Sequence, residues 1–380
     1  MIKSKNKIIR AVTVSESVEF YQPIVKDLLN RGYEVVSVSS PGPELEGLRK
    51  DGIKVLEVPM ERHISLIRDI VSLFKLIRIF AKEKPLMVHS MTPKAGLLCM
   101  LAAWITRVPR RVHTFTGLVW PTATGLTRRI LMATDWITCA CATHVIPEGQ
   151  GVMNDLHNHI TRKPMKVLGY GNIRGVDMLR FSNRPEVVEK ANLLKDNDVF
   201  TFVFVGRIVR DKGMDELMEA FSNLIKTNKN VRLFLVGNYE QDLDPVSKIT
   251  IERIKTIPQI QAVGPKYGDE LLAYYAASDC FVFPSYREGF PNTVMEAGAM
   301  GLPSIVTDIN GSREIINNGE NGVIIPSKNA KALYDAMINM IEDREAYTHM
   351  ASNARPMIET RFEQGFVRSC LLDFYDEIMN

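Results

Sequence analysis

Short apolar runs alternate with longer helical patterns along the whole chain, and this alternation limits the fold more than any other feature. Ten runs have the length and β-rich composition of strands, with apolar residues on both faces. Strands of this kind form parallel sheets that helices cover on both sides. The predicted strands are residues 8–14, 34–38, 53–58, 86–90, 111–115, 143–146, 201–206, 231–237, 280–285 and 303–307.

The segments between these strands predict helices. In residues 65–80, for example, Leu66, Ile70, Phe74 and Ile77 follow the helical period of 3.6 residues. The chain is therefore predicted to be an α/β protein built on doubly wound sheets.

The alternation restarts near residue 198, which predicts two domains. We place them at residues 1–175 and 176–360, joined around residues 172–198, and expect each to be Rossmann-like. Ligands of such sheets bind beyond the carboxyl ends of the strands, so the loops that follow strands are the candidate sites. No G-x-G-x-x-G follows the first strand, and a dinucleotide-dependent dehydrogenase is therefore not supported.

The two halves of the chain differ in charge. Residues 1–175 carry 25 lysines and arginines against 14 acidic residues, whereas residues 176–380 carry 22 against 30. A basic first half suggests an anionic partner. Because no RNP-type, helix-turn-helix or zinc-finger pattern is found, we expect an anionic membrane surface rather than nucleic acid.

Arginines beside exposed aromatic and aliphatic residues suit a surface of anionic headgroups, where each charge contributes about 1 kcal/mol. The alternative is ordinary helix packing with a solvated charged rim. The residues of this predicted surface are Arg107, Arg110, Arg111, Arg128 and Arg129, with Trp104, Leu118, Val119, Trp120 and Leu126.

Three features indicate a cytoplasmic protein that is not integral to a membrane. The longest uncharged apolar run, residues 96–106, is far shorter than the roughly 20 residues that span a bilayer. The N-terminal segment resembles a first strand more than a signal peptide, because no small-residue cleavage site follows it. The cysteines lack metal-ligand spacing, which predicts buried free thiols in a reducing compartment. We expect a peripheral position on the inner face of the cytoplasmic membrane.

The loop after the seventh predicted strand combines a glycine with two cations. Gly206 allows the backbone to approach a ligand closely, and Arg207 and Lys212 lie at the mouth of a parallel sheet. Such a pair suits a diphosphate, since Arg offers a fork of donors and Lys a mobile charge. A solvated basic turn is the alternative if this segment is considered alone.

Two glutamates flank a predicted helix start in the stretch REGFPNTVMEAGAMG, residues 287–301. Glu288 lies in the loop, Glu296 lies in the second turn, and Pro291 suits the first turn. The unpaired N–H groups of a helix start favour an anion such as phosphate. Because a carboxylate accepts hydrogen bonds from vicinal hydroxyls, the combination indicates a nucleotide sugar.

Three blocks of the second half resemble the C-terminal domain of retaining glycosyltransferases of family 4. They are VGRIVRDKG (205–213), SYREGFPNTVMEAGAMGLP (285–303) and NGSREIINNGENGVII (310–325), and the family's E-x7-E pattern matches Glu288 and Glu296. The resemblance implies the GT-B fold, in which two Rossmann-like domains face each other across a cleft.

The resemblance also implies roles for individual residues. Arg207 and Lys212 would hold the donor diphosphate. Glu296 would accept hydrogen bonds from the ribose hydroxyls, and Glu288 would contact the transferred sugar. Val263 and Gly264 would contact the base. A further set of residues would line the sugar and the phosphate. The lining positions are Gly206, Gly289, Phe290, Pro291, Asn292 and Thr293.

The first half resembles the bacterial members that build capsule, O-antigen or other lipid-linked glycans. The resemblance rests on residues 59–73, 89–103 and 113–130. It departs from the pattern at Thr116, where many members have His or Arg, and at Met91, where a second His is common. By analogy with the family, a C-terminal amphipathic helix at residues 361–380 crosses back onto the first domain.

Several residues of the first half are acceptor-side candidates. His113 could lie near the reacting sugar, and Lys94 could meet an acceptor phosphate. Buried histidines and a solvated helix start are the respective alternatives. The acceptor-side set is His89, Lys94, Thr116 and Gly117, together with Arg62 and His63 at the start of an amphipathic helix, whereas His113 is a catalytic candidate beside Arg207, Lys212 and Glu288.

We expect no cofactor and no metal. Two D-x-D patterns, Asp196–Asp198 and Asp242–Asp244, lie in polar turn-like segments where capping is the simpler interpretation. Arg207 and Lys212 already offset the diphosphate charge. The nucleotide sugar is a co-substrate.

The sequence thus predicts a retaining, metal-independent glycosyltransferase. It would move a hexose or N-acetylhexosamine from a nucleotide sugar, with UDP favoured over GDP, to a polyprenyl-diphosphate-linked glycan. Three alternatives remain: a transferase with a soluble sugar acceptor, a sugar-nucleotide epimerase, and a silent subunit that binds the nucleotide sugar.

Overall fold

The computed structural model describes residues 6–61, 65–240 and 244–379. Contacts divide the chain into two compact units: Met1–Gly175 with Gly365–Asn380, and Val176–Gln364. Each unit contains one six-stranded parallel sheet with helices on both faces. The predicted α/β class and doubly wound sheets are therefore confirmed.

The sheet of the first unit has the strand order of a Rossmann fold, β3-β2-β1-β4-β5-β6. Its strands are β1 (Lys7–Ala11), β2 (Glu34–Ser39), β3 (Lys54–Glu57), β4 (Met87–Met91), β5 (Arg110–Phe115) and β6 (His144–Pro147). Its first helices are α1 (Gln22–Asn30), α2 (Leu45–Lys50), α3 (Leu66–Glu83), α4 (Pro93–Ile105), α5 (Gly125–Cys141) and α6 (Gln150–His159).

Successive strand residues of the first unit enter two different cores. Ile9 and Val88 pack with residues of α3 to α6, whereas Ile8 and Met87 pack with residues of α1 and α2. Burial on both faces explains why these strands are continuous apolar runs rather than alternating ones.

The helix predicted over residues 65–80 is present as α3, and of its four periodic apolar residues only Ile77 packs against the core. Leu66, Ile70 and Phe74 are 75%, 53% and 62% exposed. The residues of α3 that face the core include Leu76 and Phe80. Periodicity thus predicted the helix, and the structure shows that this helix is apolar on more than one side.

The sheet of the second unit repeats the same topology, in the order β12-β11-β10-β7-β8-β9. Its strands are β7 (Phe200–Val205), β8 (Val231–Val236), β9 (Ile260–Gly264), β10 (Cys280–Phe283), β11 (Ser304–Thr307) and β12 (Gly322–Ile325). Its helices are α7 (Pro185–Asn192), α8 (Met214–Thr227), α9 (Lys248–Thr256), α10 (Gly268–Ala276), α11 (Asn292–Ala299), α12 (Ser312–Ile315), α13 (Ala330–Glu342) and α14 (Arg344–Phe362).

The ten predicted strands are all present, and two further strands, β9 and β12, were not predicted. Both are edge strands. In β9 only Ile260 is buried, while Gln261 and Ala262 are exposed. A strand that is partly solvated lacks the long apolar run by which the central strands are recognised.

The last helix, α15 (Gln364–Met379), belongs to the first unit from Gly365 onward. Leu371, Tyr375 and Ile378 share the core of α1 and α2. Among the described residues, no helix combines the length and apolar character that crossing a membrane requires. All five cysteines are free thiols, and four of them are buried.

Candidate functional site

Predicted donor-binding residues meet at one end of the second sheet. The strand order reverses between β7 and β10. Gly206, Arg207 and Lys212 lie in the loop after β7, and Glu288 lies in the loop after β10. Open parallel sheets bind ligands at the carboxyl ends of strands where the order reverses, which is the position these residues occupy.

Lys212 and Glu288 form an ion pair that joins the two loops. Their side chains are only 14% and 17% exposed. Ser285 Oγ lies 2.9 Å from a Glu288 carboxylate oxygen, and Lys212 Nζ lies 5.1 Å from the centre of the Phe283 ring. An anion that binds here therefore meets a largely buried cation, and a sugar hydroxyl meets a carboxylate already held in place.

Arg207 is also paired with a carboxylate. Its Nη1 lies 2.8 Å from a Glu240 carboxylate oxygen, and the Arg207 side chain is 45% exposed. Gly206 precedes it with φ of +156°, and a Cβ at Gly237 would lie 1.9 Å from the Gly206 carbonyl oxygen. Both cations predicted to hold a diphosphate are therefore paired with carboxylates, Arg207 with Glu240 and Lys212 with Glu288.

The helix start predicted in this stretch lies at Asn292, with Pro291 directly before it. Gly289, Phe290 and Pro291 are buried, whereas Asn292 and Thr293 are half-buried. The first N–H groups of α11 have no acceptor within the helix, so this end of α11 favours an anion. Residues 289–291 are thus packed inside the second unit, while Asn292 and Thr293 are partly accessible to solvent.

Glu296 lies in the second turn of α11, as predicted, and is half-buried. The Tyr275 hydroxyl lies 3.5 Å from its carboxylate. Burial raises the pKa of Tyr275 well above its usual value, and the Glu296 charge adds to the effect, so the hydroxyl keeps its proton. Val263 and Gly264 end β9, where Gly237 N donates to the Gly264 carbonyl over 3.0 Å.

His113, predicted as a catalytic candidate, and His89, predicted on the acceptor side, are both buried inside the first unit. His113 accepts or donates a hydrogen bond at 2.9 Å from Ser90 Oγ, and a Cβ at Gly96 would lie 2.4 Å from its ring. His89 contacts Tyr375 Oη at 2.5 Å and Thr114 Oγ1 at 2.7 Å. The rings therefore match the alternative of satisfied buried histidines, and a direct role for His113 stays a prediction.

Burial keeps both imidazoles neutral. It lowers the pKa of His113 to about 3, against a smaller opposing effect of Ser90. It also lowers the pKa of His89 well below the usual value, with Arg10 contributing in the same direction.

Lys94 is engaged by an acidic partner that the sequence analysis did not identify. Its Nζ lies 2.8 and 3.0 Å from the two carboxylate oxygens of Asp69 in the first turn of α3. Thr116 and Gly117 are half-buried in the loop after β5. Arg62 and His63 lie outside the described residues.

Part of the predicted membrane surface is incorrect. Leu118 and Trp120 were expected to be exposed but are buried, at 7% and 2%. The Arg111 Nε donates to the Cys141 carbonyl over 2.6 Å, and Arg110 donates to the Ile378 carbonyl. The spacing of basic and aromatic residues could not show that the loop after β5 folds inward.

Of the two D-x-D patterns, the first forms a local turn in which Asp198 N donates to Asp196 Oδ1 over 3.1 Å. Asp242 lies outside the described residues. Asp244 accepts a hydrogen bond from Asp211 N over 2.6 Å. Within the described ranges, no group of three or more His, Cys, Asp or Glu residues is arranged to hold a metal ion.

Gly213 allows the loops after β7 and β10 to touch. Its φ is +70°, and a Cβ there would lie 2.0 Å from the Pro284 carbonyl oxygen. We expect Gly213→Ala to lower the free energy of unfolding by more than about 2 kcal/mol, because a left-handed residue costs about 1–2 kcal/mol before any clash. Urea unfolding would measure the loss.

The matched control is Gly319→Ala, at φ of +84° with no atom near the added Cβ. It should lose only the conformational part, about 1–2 kcal/mol. Equal losses for the two variants would show that contact with Pro284 does not restrain the loop.

Comparison with protein families matches both units. Residues 187–357 match the model described as glycosyl transferases group 1, and residues 11–141 match the model described as glycosyl transferase 4-like. These ranges contain the loops after β7 and β10 of the second unit and the strands β4 and β5 of the first.

Similar proteins are known from several bacteria. The capsular polysaccharide biosynthesis glycosyltransferase CapM of Staphylococcus aureus is 32% identical, over 98% of this chain and 97% of the relative. The UDP-Gal:alpha-D-GlcNAc-diphosphoundecaprenol alpha-1,3-galactosyltransferase of Escherichia coli is 27% identical, over 88% and 87%. The Anabaena protein Alr3699/HepE, solved with UDP-glucose, superposes with a TM-score of 0.80 at 18% identity, over 98% and 99%, and shows the fold.

Proposed function

Since this chain belongs to the GT-B glycosyltransferases of family 4 and its relatives build bacterial surface glycans, we propose that it is a retaining transferase that uses a UDP-sugar. The sugar is a hexose or N-acetylhexosamine, and the acceptor is a polyprenyl-diphosphate-linked glycan. The contact between Lys212 and Glu288, in the loops after β7 and β10, supports the proposal most, because a cation suited to a diphosphate lies there beside a carboxylate suited to sugar hydroxyls.

In the proposed reaction, Arg207, Lys212 and the first turn of α11 hold the donor diphosphate. Glu296 accepts hydrogen bonds from the ribose hydroxyls, and Glu288 contacts the transferred sugar. As the bond between the anomeric carbon and the diphosphate oxygen breaks, negative charge grows on the diphosphate, and the two cations stabilise it. No metal is required, because the two cations offset that charge.

The acceptor hydroxyl attacks the anomeric carbon from the face that the diphosphate leaves. The new glycosidic bond forms there, and the hydroxyl proton passes to the departing diphosphate oxygen. Configuration is retained, and no side chain need act as a general base.

Two neighbours support the choice of substrates. The Escherichia coli relative is named for a UDP-galactose donor and a diphosphoundecaprenol-linked acceptor, and the Anabaena structure contains UDP-glucose. Their names describe those proteins, and we extend the classes of donor and acceptor to this chain.

The proposal includes contact with an anionic membrane through the first unit. The first halves of α3 and α5 follow the carboxyl ends of parallel strands, so they lie at one edge of the sheet, and α4 packs against both helices. Large apolar residues are exposed there, beside exposed Arg68, Lys75, Arg128 and Arg129. The apolar residues are Leu66, Ile67, Ile70, Val71 and Phe74 of α3, and Leu126 and Ile130 of α5.

We expect Ile70→Glu to weaken binding to phosphatidylglycerol-rich vesicles by about 10-fold or more. The change removes an apolar side chain from the bilayer interface and adds a charge that anionic headgroups repel by about 1 kcal/mol. Vesicle sedimentation at low and high salt would measure it, and salt should weaken binding of the unaltered protein.

Ile249→Glu is the matched control, since Ile249 is 60% exposed on α9 of the second unit, compared with 53% for Ile70. It should bind vesicles like the unaltered protein. Equal binding by all three proteins, or binding that salt does not weaken, would refute the membrane contact.

The donor is best tested by ligand-observed NMR on the purified protein with a panel of UDP- and GDP-sugars. A short polyprenyl-diphosphate-sugar is added second. Selective binding of one UDP-sugar, followed by acceptor-dependent release of UDP, supports the proposed transfer. Release with a soluble sugar alone, conversion of the nucleotide sugar without transfer, or binding without release would each favour one of the three alternatives.

A further inference from the structure

A second ion pair lies directly beside the pair of Lys212 and Glu288. Arg287 Nη2 lies 2.9 Å from Asp211 Oδ2. Asp211 precedes Lys212 in one loop, and Arg287 precedes Glu288 in the other, so the two pairs have opposite polarity. The loops also meet through the backbone, where Tyr286 N donates to the Asp211 carbonyl over 2.8 Å.

Each of the four charged side chains in these two ion pairs also has a neighbour of opposite charge in the sequence. Asp211 is the acidic neighbour of Lys212, and Arg287 is the basic neighbour of Glu288. Asp211 Oδ1 is buried and, within the described part of the chain, has no hydrogen-bond partner. A buried carboxylate oxygen of this kind attracts any nearby cation, since leaving it unpaired is unfavourable.

Asp244 fixes Asp211 in the position from which it meets Arg287. One Asp244 carboxylate oxygen accepts a hydrogen bond from Asp211 N over 2.6 Å, and the other lies 3.3 Å from Arg210 Nε. The Asp244 carbonyl also accepts from Arg210 N over 3.1 Å. The loop is therefore held at Arg210 and Asp211, directly before Lys212.

We propose that Asp211 and Arg287 are positioning residues for the transfer reaction. Because Asp211 and Arg287 form an ion pair with each other, Lys212 stays beside Glu288, where it can contact the donor diphosphate. Without Arg287, the Asp211 carboxylate captures Lys212 and withdraws it from the diphosphate. This inference rests on the proposed function for its kinetic consequence, but the geometry it describes is independent of activity.

The test compares Arg287→Gln, Asp211→Asn, and the double variant Asp211→Asn with Arg287→Gln. We expect Arg287→Gln to lower kcat and UDP affinity by about 10-fold each, within the range of coupling between groups in contact. The double variant should recover to within about 3-fold of the unaltered protein, because the competing carboxylate is then neutral. Arg287→Lys should retain most activity.

A role in folding alone predicts the opposite order, with the double variant at or below Arg287→Gln. That order in both kcat and UDP affinity would overturn the inference. Unfolding temperatures of all variants separate a general loss of stability from this local effect.

Crystal structures of the unaltered protein, Arg287→Gln and the double variant give a readout that needs no activity. Lys212 Nζ should contact Glu288 in the first and third, and Asp211 in the second. If Lys212 remains on Glu288 in Arg287→Gln, the inference fails. If Lys212 moves as expected but the unaltered protein binds no UDP, the inference stands and the proposed function fails.

Discussion

Replacing Glu288 with alanine is expected to lower the rate of sugar transfer by about 10²–10³-fold and to leave the affinity for UDP within about 3-fold. A loss of this size is typical when one preorganised group that faces developing charge is removed. In the proposed reaction Glu288 contacts the transferred sugar, whereas Arg207, Lys212 and α11 hold the diphosphate.

The ion pair of Glu288 with Lys212 indicates in which direction the affinity for UDP should change. Glu288 forms an ion pair with Lys212, so removing the glutamate leaves this cation to the diphosphate alone. UDP affinity should therefore stay constant or rise, and isothermal titration would measure it alongside initial rates. Glu252→Ala, an exposed position on α9, is the control and should change neither quantity. Equal losses of rate and affinity would contradict the role assigned to Glu288.

Replacing Lys212 with alanine is expected to lower both quantities. A charge-assisted hydrogen bond contributes about 1.5–3 kcal/mol, which corresponds to a loss of UDP affinity of about 10- to 150-fold. The rate should fall further, by about 10²–10³-fold, because the missing cation also stabilises charge that grows as the donor bond breaks. Titration with UDP and single-turnover kinetics would separate the two effects.

The partly buried Glu288 carboxylate would then face the diphosphate without its partner, and repulsion would add to the loss. The double variant Lys212→Ala with Glu288→Ala should therefore bind UDP more tightly than Lys212→Ala alone. Lys226→Ala, at an exposed position on α8, is the charge-matched control. Unchanged UDP affinity in Lys212→Ala would rule out diphosphate binding by this residue.

The loops after β7 and β10 could be predicted to lie together because their signals are local. Gly206, Arg207 and Lys212 follow a strongly apolar strand, and Glu288 and Glu296 flank a recognisable helix start. Parallel sheets place the ends of such strands together, so loops that are distant in the chain could be assigned to one site before any contact was known.

The partners of those residues could not be predicted in the same way. Glu240 lies 33 residues from Arg207, and Asp69 lies 25 residues from Lys94. Nothing in the spacing of either pair distinguishes it from the many other pairs of opposite charge. A contact of this kind exists only once two separate segments have been packed against a common sheet.

The sequence by itself determined the α/β class, the ten strands with long apolar runs, and the two loops, after β7 and β10, in which a ligand site is predicted. These follow from periodicity and composition, which act within a strand or a few helical turns. Only the tertiary structure decided that α3 exposes Leu66, Ile70 and Phe74 and that Trp120 is buried. It also decided that Lys212 pairs with Glu288, because burial and pairing depend on which segments meet in space.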